Sequence, residues 1–474
     1  MTHAFSPALP EIFLLVMTCV IMLVDLFLKP AQRGVTYVLS QLTVIILAVM
    51  TWPFVHEKSV TLFNDQFVLD HFAAVLQLCM YLMVFAIFLY SRRYVMERQI
   101  MRGEFHLLTL IVLLGGMVLV SANSLLTLYL GLELLSLPTY AMVAMQRDAS
   151  KGPEAAMKYF VMGAVASAMM LYGMSFMFGL SGSLLLPEIN HFVISGMSHS
   201  MLFIFALMFF IVGVCFKLGA VPFHMWVPDV YEGSPTCVTA ILGTLSKIAA
   251  LGLIVRLVIQ MMHGLMPHWH IALMVIAVLS ILLGNVLAIV QTNIKRMFAY
   301  STISHMGFIL LVLALGTKQS LTYAVFYTVV YVIMSVGGFG MVMSLARQGH
   351  ESDKISDFAG FNKRHAWVAF MMLLLMLSMA GIPPMVGFDA KLFVIQALVA
   401  QHYYGLAIFA LIMSVIGAYY YLRVVKVMYF DAAESATLKH PLLSLDGHIA
   451  VSVNGVLVLL LGLMPAGLLA LCAF

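Results

Sequence analysis

Apolar residues run in blocks of about 20 along the whole chain, parted by short polar stretches that carry most of the lysines and arginines. A helix needs roughly 20 apolar residues to cross the hydrocarbon of a bilayer, so each block predicts one membrane-spanning helix. Such blocks lie at 8-28, 36-55, 72-91, 106-121, 124-145, 155-180, 201-228, 236-258, 271-291, 297-315, 320-346, 366-399, 402-428 and 449-472. The expected fold is an all-α polytopic membrane protein of about 14 transmembrane helices. Loops are short throughout, so no soluble domain is hidden between spans. The longest polar stretch, 347-365, joins spans 11 and 12 and reads as a structured linker rather than a catalytic element.

Two blocks cannot be regular helices. Span 7 contains Lys217-Leu-Gly-Ala-Val-Pro222-Phe-His224-Met-Trp226-Val-Pro228-Asp229, and span 12 contains Ala380-Gly381-Ile-Pro383-Pro384-Met-Val-Gly387-Phe-Asp389-Ala-Lys391. Each interior proline removes a backbone donor and clashes with the preceding turn. The breaks are five spans apart, and an odd offset sets the two copies in opposite membrane orientations. Gly/Pro-interrupted segments at corresponding places in two halves point to inverted repeats. The expected organisation is an N-terminal three-helix segment (1-104), a first repeat of spans 4-8 (105-260), an inverted second repeat of spans 9-13 (261-430) and a C-terminal helix (431-474). In detail the breaks differ: Lys217 precedes its proline, whereas Lys391 follows the Pro383-Pro384 pair.

Composition agrees with this pattern, with 63% hydrophobic and 9% charged residues and a mean hydropathy of +1.05. A soluble protein carries about 25% charged residues, so a soluble core, a disordered chain and a nucleic-acid binder are excluded, and the bilayer is the solvent. Of 24 lysines and arginines, seventeen fall in alternate loops that become cytoplasmic if both termini face outward. Three (Lys58, Arg256, Lys318) fall near the other side, and four (Lys158, Lys217, Lys247, Lys391) fall within spans. The opening Met1-Thr-His-Ala-Phe-Ser-Pro lacks the positive region of a cleaved signal peptide. The five cysteines, Cys19, Cys79, Cys215, Cys237 and Cys472, stand singly in apolar segments, which argues against iron-sulfur, zinc or disulfide frameworks. The 38 methionines are dispersed and read as packing.

The buried charges carry the candidate chemistry. A charge at the bilayer centre costs at least ~2.5–3.5 kcal/mol, so such groups face partners or water and often mark an ion path. Glu133, in Gly131-Leu-Glu133-Leu-Leu-Ser136, is a carboxylate deep in span 5, with Lys217 or Lys158 as its partner; the pair either holds helices together or switches a lysine's proton affinity. Lys247 lies near the middle of span 8, too deep to reach the interface, and suits a proton relay. Lys158 begins span 6, where snorkelling to the surface is the alternative. His305, in Ser301-Thr-Ile-Ser-His305, brings an imidazole and hydroxyls into span 10. Asp389 either tunes Lys391 or caps the second half of span 12. His224, beside Trp226 at the span 7 break, reads equally as a second proton-exchanging imidazole, ranked below His305, or as an interfacial anchor, while Asp25, Asp229 and Glu232 read as interfacial or structural groups.

Phe216-Lys-Leu-Gly-Ala-Val-Pro-Phe-His-Met-Trp-Val-Pro-Asp-Val-Tyr-Glu-Gly-Ser-Pro-Thr236 resembles the antiporter-like membrane subunits of respiratory NADH-quinone oxidoreductase (complex I). Pro228-Asp-Val-Tyr-Glu-Gly233, Gln291-Thr-Asn-Ile-Lys-Arg-Met-Phe-Ala-Tyr-Ser-Thr-Ile-Ser-His-Met-Gly307 and Gly131-Leu-Glu-Leu-Leu-Ser-Leu-Pro138 are similar to its subunit N family in particular. The resemblance runs over essentially the whole chain. It implies fourteen helices, inverted five-helix repeats and broken helices 7 and 12. It also implies a proton relay in which Glu133 and Lys217 form the acid and lysine of the first half-channel, Lys247 the central lysine and Lys391 the exit lysine. A lysine at 391 favours subunit N over subunit M, which has an acid there; Asp389, ahead of it, departs from the family's usual uncharged residues. FMN, iron-sulfur clusters, NADH and quinone are implied for other subunits of the complex, with none bound by this chain. The implied neighbours are subunits K, J and M, the lateral helix of subunit L and the lipid of a bacterial inner membrane. A subunit of a cation/proton antiporter, or a scaffold without its own proton path, would use the same fold.

Overall fold

The computed structural model describes residues 6–29, 32–98, 100, 103–146, 151–197, 201–346, 351, 353–432 and 445–473. Arg102, Arg147, Arg347 and Lys439, four of the basic residues assigned to the cytoplasmic side, lie outside the described residues, as does much of the start of the 347-365 stretch.

Each apolar block folds as a helix, because hydrocarbon offers no water to satisfy an open backbone. In order the spans are Ser6–Phe27, Gly34–Val55, His71–Glu97, Glu104–Val120, Leu125–Val143, Gly152–Ser181, Met201–Leu218 continued by Trp226–Gly233, Thr236–Met261, His263–Ile289, Ile294–Leu313, Lys318–Leu345, Ala366–Ala380 continued by Val386–Ala400, Tyr404–Phe430, and Leu445–Leu463 followed by Pro465–Leu471. Spans 8, 10 and 11 are enclosed by protein on all sides, whereas spans 1, 13 and 14 leave most of their surface outward. Enclosure puts Lys247 and His305 on the innermost helices.

Construction details recur five spans apart. Spans 4 and 5 touch through glycine: a side-chain carbon at Gly115 would fall 2.4 Å from the Leu135 nitrogen, and one at Gly131 2.7 Å from the Leu119 nitrogen. Spans 9 and 10 repeat this, with Gly284 facing the Ser304 nitrogen at 2.6 Å and Gly307 the Ala277 carbonyl oxygen at 2.9 Å. The first halves of spans 7 and 12 end alike, at Gly219 (φ +75°) and Gly381 (φ +81°), left-handed conformations that favour glycine. Pro222 and Pro384 follow at the same distance from those glycines.

Three features were not anticipated from the sequence. Span 8 is itself interrupted at Thr244 (φ −124°, ψ −76°), dividing it into Thr236–Gly243 and a segment starting at Leu245. A hairpin of β1 (Val60–Leu62) and β2 (Phe67–Leu69) turns through Phe63, Asn64 and Asp65, all with positive φ, and rests on the connection between spans 4 and 5 through the Val68 N–H donating to the Ser121 carbonyl at 2.8 Å. Arg256, assigned by sequence to the outer ends, is buried and holds Asp70 with two 2.8 Å hydrogen bonds.

Candidate functional site

The interruption of span 7 leaves the last carbonyls of its first half without helical partners, and a lysine supplies the donors. Lys247, fully buried, donates to the Leu218 carbonyl at 2.8 Å and the Lys217 carbonyl at 3.3 Å. A cation complements the negative end of a helix, so the position is electrostatically matched. The Lys247 ammonium also sits 5.1 Å from the centre of the Trp226 ring, which adds an attractive aromatic face. Trp226 is fixed by its own N–H, donated to the Phe216 carbonyl at 2.9 Å, and by stacking on Tyr159 at 4.6 Å.

Five spans on, the same problem has the same chemical answer from a different element. Lys391, on the second half of span 12, reaches back to the end of the first half and donates to the Ala380 carbonyl at 2.9 Å and the Met379 carbonyl at 3.2 Å. Its ammonium lies 5.8 Å from the Phe308 ring centre on span 10.

Lys217 is buried in the last turn of the first half of span 7, and its ammonium donates to the Ser136 hydroxyl at 2.6 Å. That hydroxyl takes the place expected for a carboxylate. Glu133, one turn before Ser136 on span 5, makes no ion pair within 4 Å among the described residues, and its Oε1 is buried without a hydrogen-bond partner. Glu133 is therefore paired with neither Lys217 nor Lys158: Ser136 intercepts Lys217, and Lys158 is engaged elsewhere.

Lys158 stands near the start of span 6, its side chain 43% exposed, bonded to Glu154 at 2.8 Å and Asp229 at 2.9 Å. Asp229 also accepts from Arg296 at 2.8 Å, and Glu232 pairs with Lys151 at 2.7 Å and Arg296 at 3.1 Å. Lys151, Glu154, Lys158, Asp229 and Glu232 line a polar hollow of about 180 Å³. Lys158 thus snorkels, and the structure does not bring it together with the buried lysines. Its neighbour Tyr159 faces inward, its hydroxyl 3.5 Å from that of Thr139, one turn of span 5 from Ser136.

His305 is buried between two phenols. Its Nδ1 lies 2.9 Å from the Tyr327 hydroxyl and its Nε2 3.1 Å from the Tyr421 hydroxyl, which also bonds Ser301. Thr302 bonds Tyr331 at 2.8 Å. A cavity of about 10 Å³ beside them is lined by Ser301, Thr302, His305, Tyr331 and Ser335, with Met379 from span 12. Such a space is of the order needed for a single water. Asp389 contacts neither Lys391 nor a helix-capping N–H, and its Oδ2 is buried without a partner; His224 is half-buried at the span 7 break.

Sequence reasoning missed Ser136, the tyrosines around His305 and Glu11, a second buried carboxylate in span 1 that accepts from Gln77 at 2.8 Å. Ser136 had a signal, its one-turn spacing from Glu133; the tyrosines, spread over spans 11 and 13, had none. The five cysteines are free and dispersed, and among the described residues no group of three His, Cys, Asp or Glu is gathered for a metal.

The family described as NADH:quinone oxidoreductase/Mrp antiporter, TM, matches residues 122–417. Subunit N of NADH-quinone oxidoreductase from Thioalkalivibrio sulfidiphilus is 50% identical over 98% of this chain and 97% of its own, and that from Coxiella burnetii is 50% identical over 98% of each. A chain of respiratory complex I from Thermus thermophilus, solved with bound aureothin, superposes with a TM-score of 0.82 at 29% identity, covering 97% of this chain and 98% of that one. A chain of the Mrp complex from Dietzia has the same fold at 20% identity and a TM-score of 0.85, covering 99% of this chain and 96% of that one. The chain belongs to the NADH:quinone oxidoreductase/Mrp antiporter membrane-subunit family and, within it, to the NADH-quinone oxidoreductase subunit N family.

Proposed function

We propose that this chain is a proton-translocating subunit in the membrane arm of NADH-quinone oxidoreductase, and that Glu133, Lys217, Lys247, His305 and Lys391 carry the proton. The observation that carries the reading is the pair of ammonium groups, Lys247 and Lys391, each seated on the carbonyl end of a broken helix five spans apart. The two repeats, 105-260 and 261-430, are each read as one half of the path.

In the first half, the Lys217 ammonium has two resting places on one face of span 5: the Ser136 hydroxyl, which it occupies, and the vacant Glu133 oxygen a turn away. Lys217 and Lys247 meet at the same helix end, so charges on both repel. A proton held at Lys217 and neutralised by Glu133 leaves Lys247 free to be charged; a Lys217 ammonium released from Glu133 pushes a proton from Lys247 onward. His305, with a phenol at each ring nitrogen, is placed to pass that proton through water toward Lys391. Lys158 feeds the mouth rather than the interior.

Electron transfer from NADH through FMN and iron-sulfur centres to quinone belongs to other subunits; the dispersed cysteines here do not fit a cluster. The neighbours proposed are subunits K, J and M and the lateral helix of subunit L, in a bacterial inner membrane with both termini outward. The test is NADH-driven quinone reduction and proton pumping recorded together in membranes whose complex carries Lys217→Ala. Lost pumping in an assembled complex supports the reading, and unchanged pumping overturns it. Sodium-dependent proton exchange without NADH would establish an antiporter instead.

A further inference from the structure

We propose that Glu351, on the loop joining spans 11 and 12, is a positioning residue of the proton path: its carboxylate closes the start of the first half of span 8 and so sets where Lys247 stands. The proposal rests on the reading of Lys247 as a proton carrier. Glu351 Oε1 accepts from the Tyr94 hydroxyl at 2.5 Å, the Thr236 hydroxyl at 2.6 Å and the Thr236 backbone N–H at 3.2 Å. Its Oε2 pairs with Arg98. Lys295, only 2% exposed although the sequence placed it in a cytoplasmic loop, brings its ammonium to 3.7 Å of Oε1 and donates to the Ser234 carbonyl at 2.8 Å. One loop carboxylate thereby ties span 3, span 8 and span 10 together.

The tied element is short and stiff. Thr236–Gly243 is eight residues, about 12 Å of helix, and ends at the Thr244 interruption from which Lys247 follows directly. Both of its ends are held from the other repeat: the start by Glu351 and Lys295, the finish by the Phe339 ring of span 11, which a side chain at Gly243 would meet at 2.8 Å. The half-helix acts as a rod between the loop after span 11 and the Lys247 ammonium. Two cations and the positive end of a helix converge on the one carboxylate, and Lys295 has no other acid within 4 Å among the described residues. Neutralising Glu351 leaves that positive excess uncompensated and drives the start of the rod away from Lys295.

The groups facing Glu351 are Tyr94 and Arg98 from span 3, Cys237 beside Thr236 on span 8, and Lys295 from span 10. The experiment compares Glu351→Gln, Glu351→Asp and Lys247→Ala in membranes, measuring assembly, NADH oxidation and proton pumping across the neutral pH range. Assembled Glu351→Gln is expected to pump about tenfold fewer protons per NADH, the scale of loss for a reacting group displaced by a fraction of an ångström, with a displaced pH profile. Glu351→Asp, which keeps the charge, is expected to recover most of the loss. Wild-type pumping and profile in Glu351→Gln, with Lys247→Ala defective, overturns this proposal alone; normal pumping in Lys247→Ala overturns the reading beneath it. If Glu351→Gln does not assemble, Thr236→Val removes one bond and no charge. Its pumping profile should move in the same direction, and an unmoved profile overturns the proposal.

Discussion

Ser136 holds Lys217 in this structure, and its removal makes the sharpest test of the first half of the proposed path. The Lys217 ammonium donates to Ser136 Oγ at 2.6 Å, while Glu133 Oε1 lies buried and unpartnered one turn earlier on the same helix. A hydrogen bond to a charged group contributes about 1.5–3 kcal/mol, and its loss in Ser136→Ala shifts the balance toward the Glu133 pair by roughly 10- to 150-fold. Packing is little disturbed, since only an oxygen is removed from a fully buried site. A lysine held on Glu133 no longer alternates, so proton pumping per NADH is expected to fall about tenfold at the low end of that range. The assay is inside-out membrane vesicles with matched amounts of assembled complex, NADH oxidation followed optically and acidification followed by dye quenching. Repeating the substitution in a Glu133→Gln background removes the carboxylate that traps the lysine, and the further loss from Ser136→Ala should then be about twofold or less. Normal pumping in Ser136→Ala, or an equal loss with and without Glu133, would refute the reasoning.

Gly381→Ala should impair pumping, because the new carbon meets Lys391 Cδ at 2.8 Å at a φ of +81° and the strained residue costs about 1–2 kcal/mol; the same vesicle assay checks it. Arg256→Ala should lower the thermal inactivation temperature of the complex, since breaking a largely buried ion pair costs about 3 kcal/mol and leaves Asp70 with only the Ala73 N–H at the start of span 3. Burial works against the charge on Glu351, but Lys295 and Arg98 outweigh it and hold the carboxyl below the ordinary carboxylate range. A depressed acid contributes stability above its unfolded value of about 4.3 and loses it as pH falls through the lower folded value. The stability advantage of the unsubstituted chain over Glu351→Gln, measured by thermal unfolding, should be level above about pH 6 and shrink below about pH 4.

The spans and the two broken helices were legible because a bilayer imposes a length and proline imposes an interruption, and both are local properties of the chain. Lys217, Lys247, Lys391 and His305 were legible because a polar group inside an apolar block is conspicuous. The interruption at Thr244 was not: Gly243-Thr244-Leu245 sits in a continuous apolar run with no proline, and the Phe339 ring that packs on Gly243 is distant in sequence. Lys295 and Glu351 were hidden for the opposite reason. They belong to polar stretches where charges ordinarily face water, and it is tertiary contact that buries Lys295 and leaves the Glu351 side chain only 15% exposed beside Arg98, Thr236 and Lys295. Lys158 misled because depth was counted along the block, whereas span 6 starts at Gly152 and presents that side chain to Glu154 and Asp229.

The two helix ends are filled by lysines of different origin, and that difference assigns them different roles. Lys391 belongs to the same span whose carbonyls it holds, eleven and twelve residues on from Ala380 and Met379, so its distance to them is set within one broken helix. Lys247 comes from span 8 to the carbonyls of span 7, so its contact depends on how two separate helices lie. A force applied to the half-helix Thr236–Gly243 moves the second contact without touching the first. On the proton path proposed above, coupling to electron transfer in other subunits would act at Lys247, whose seat joins two spans, and Lys391, seated within one span, would hold a fixed position for the proton to reach.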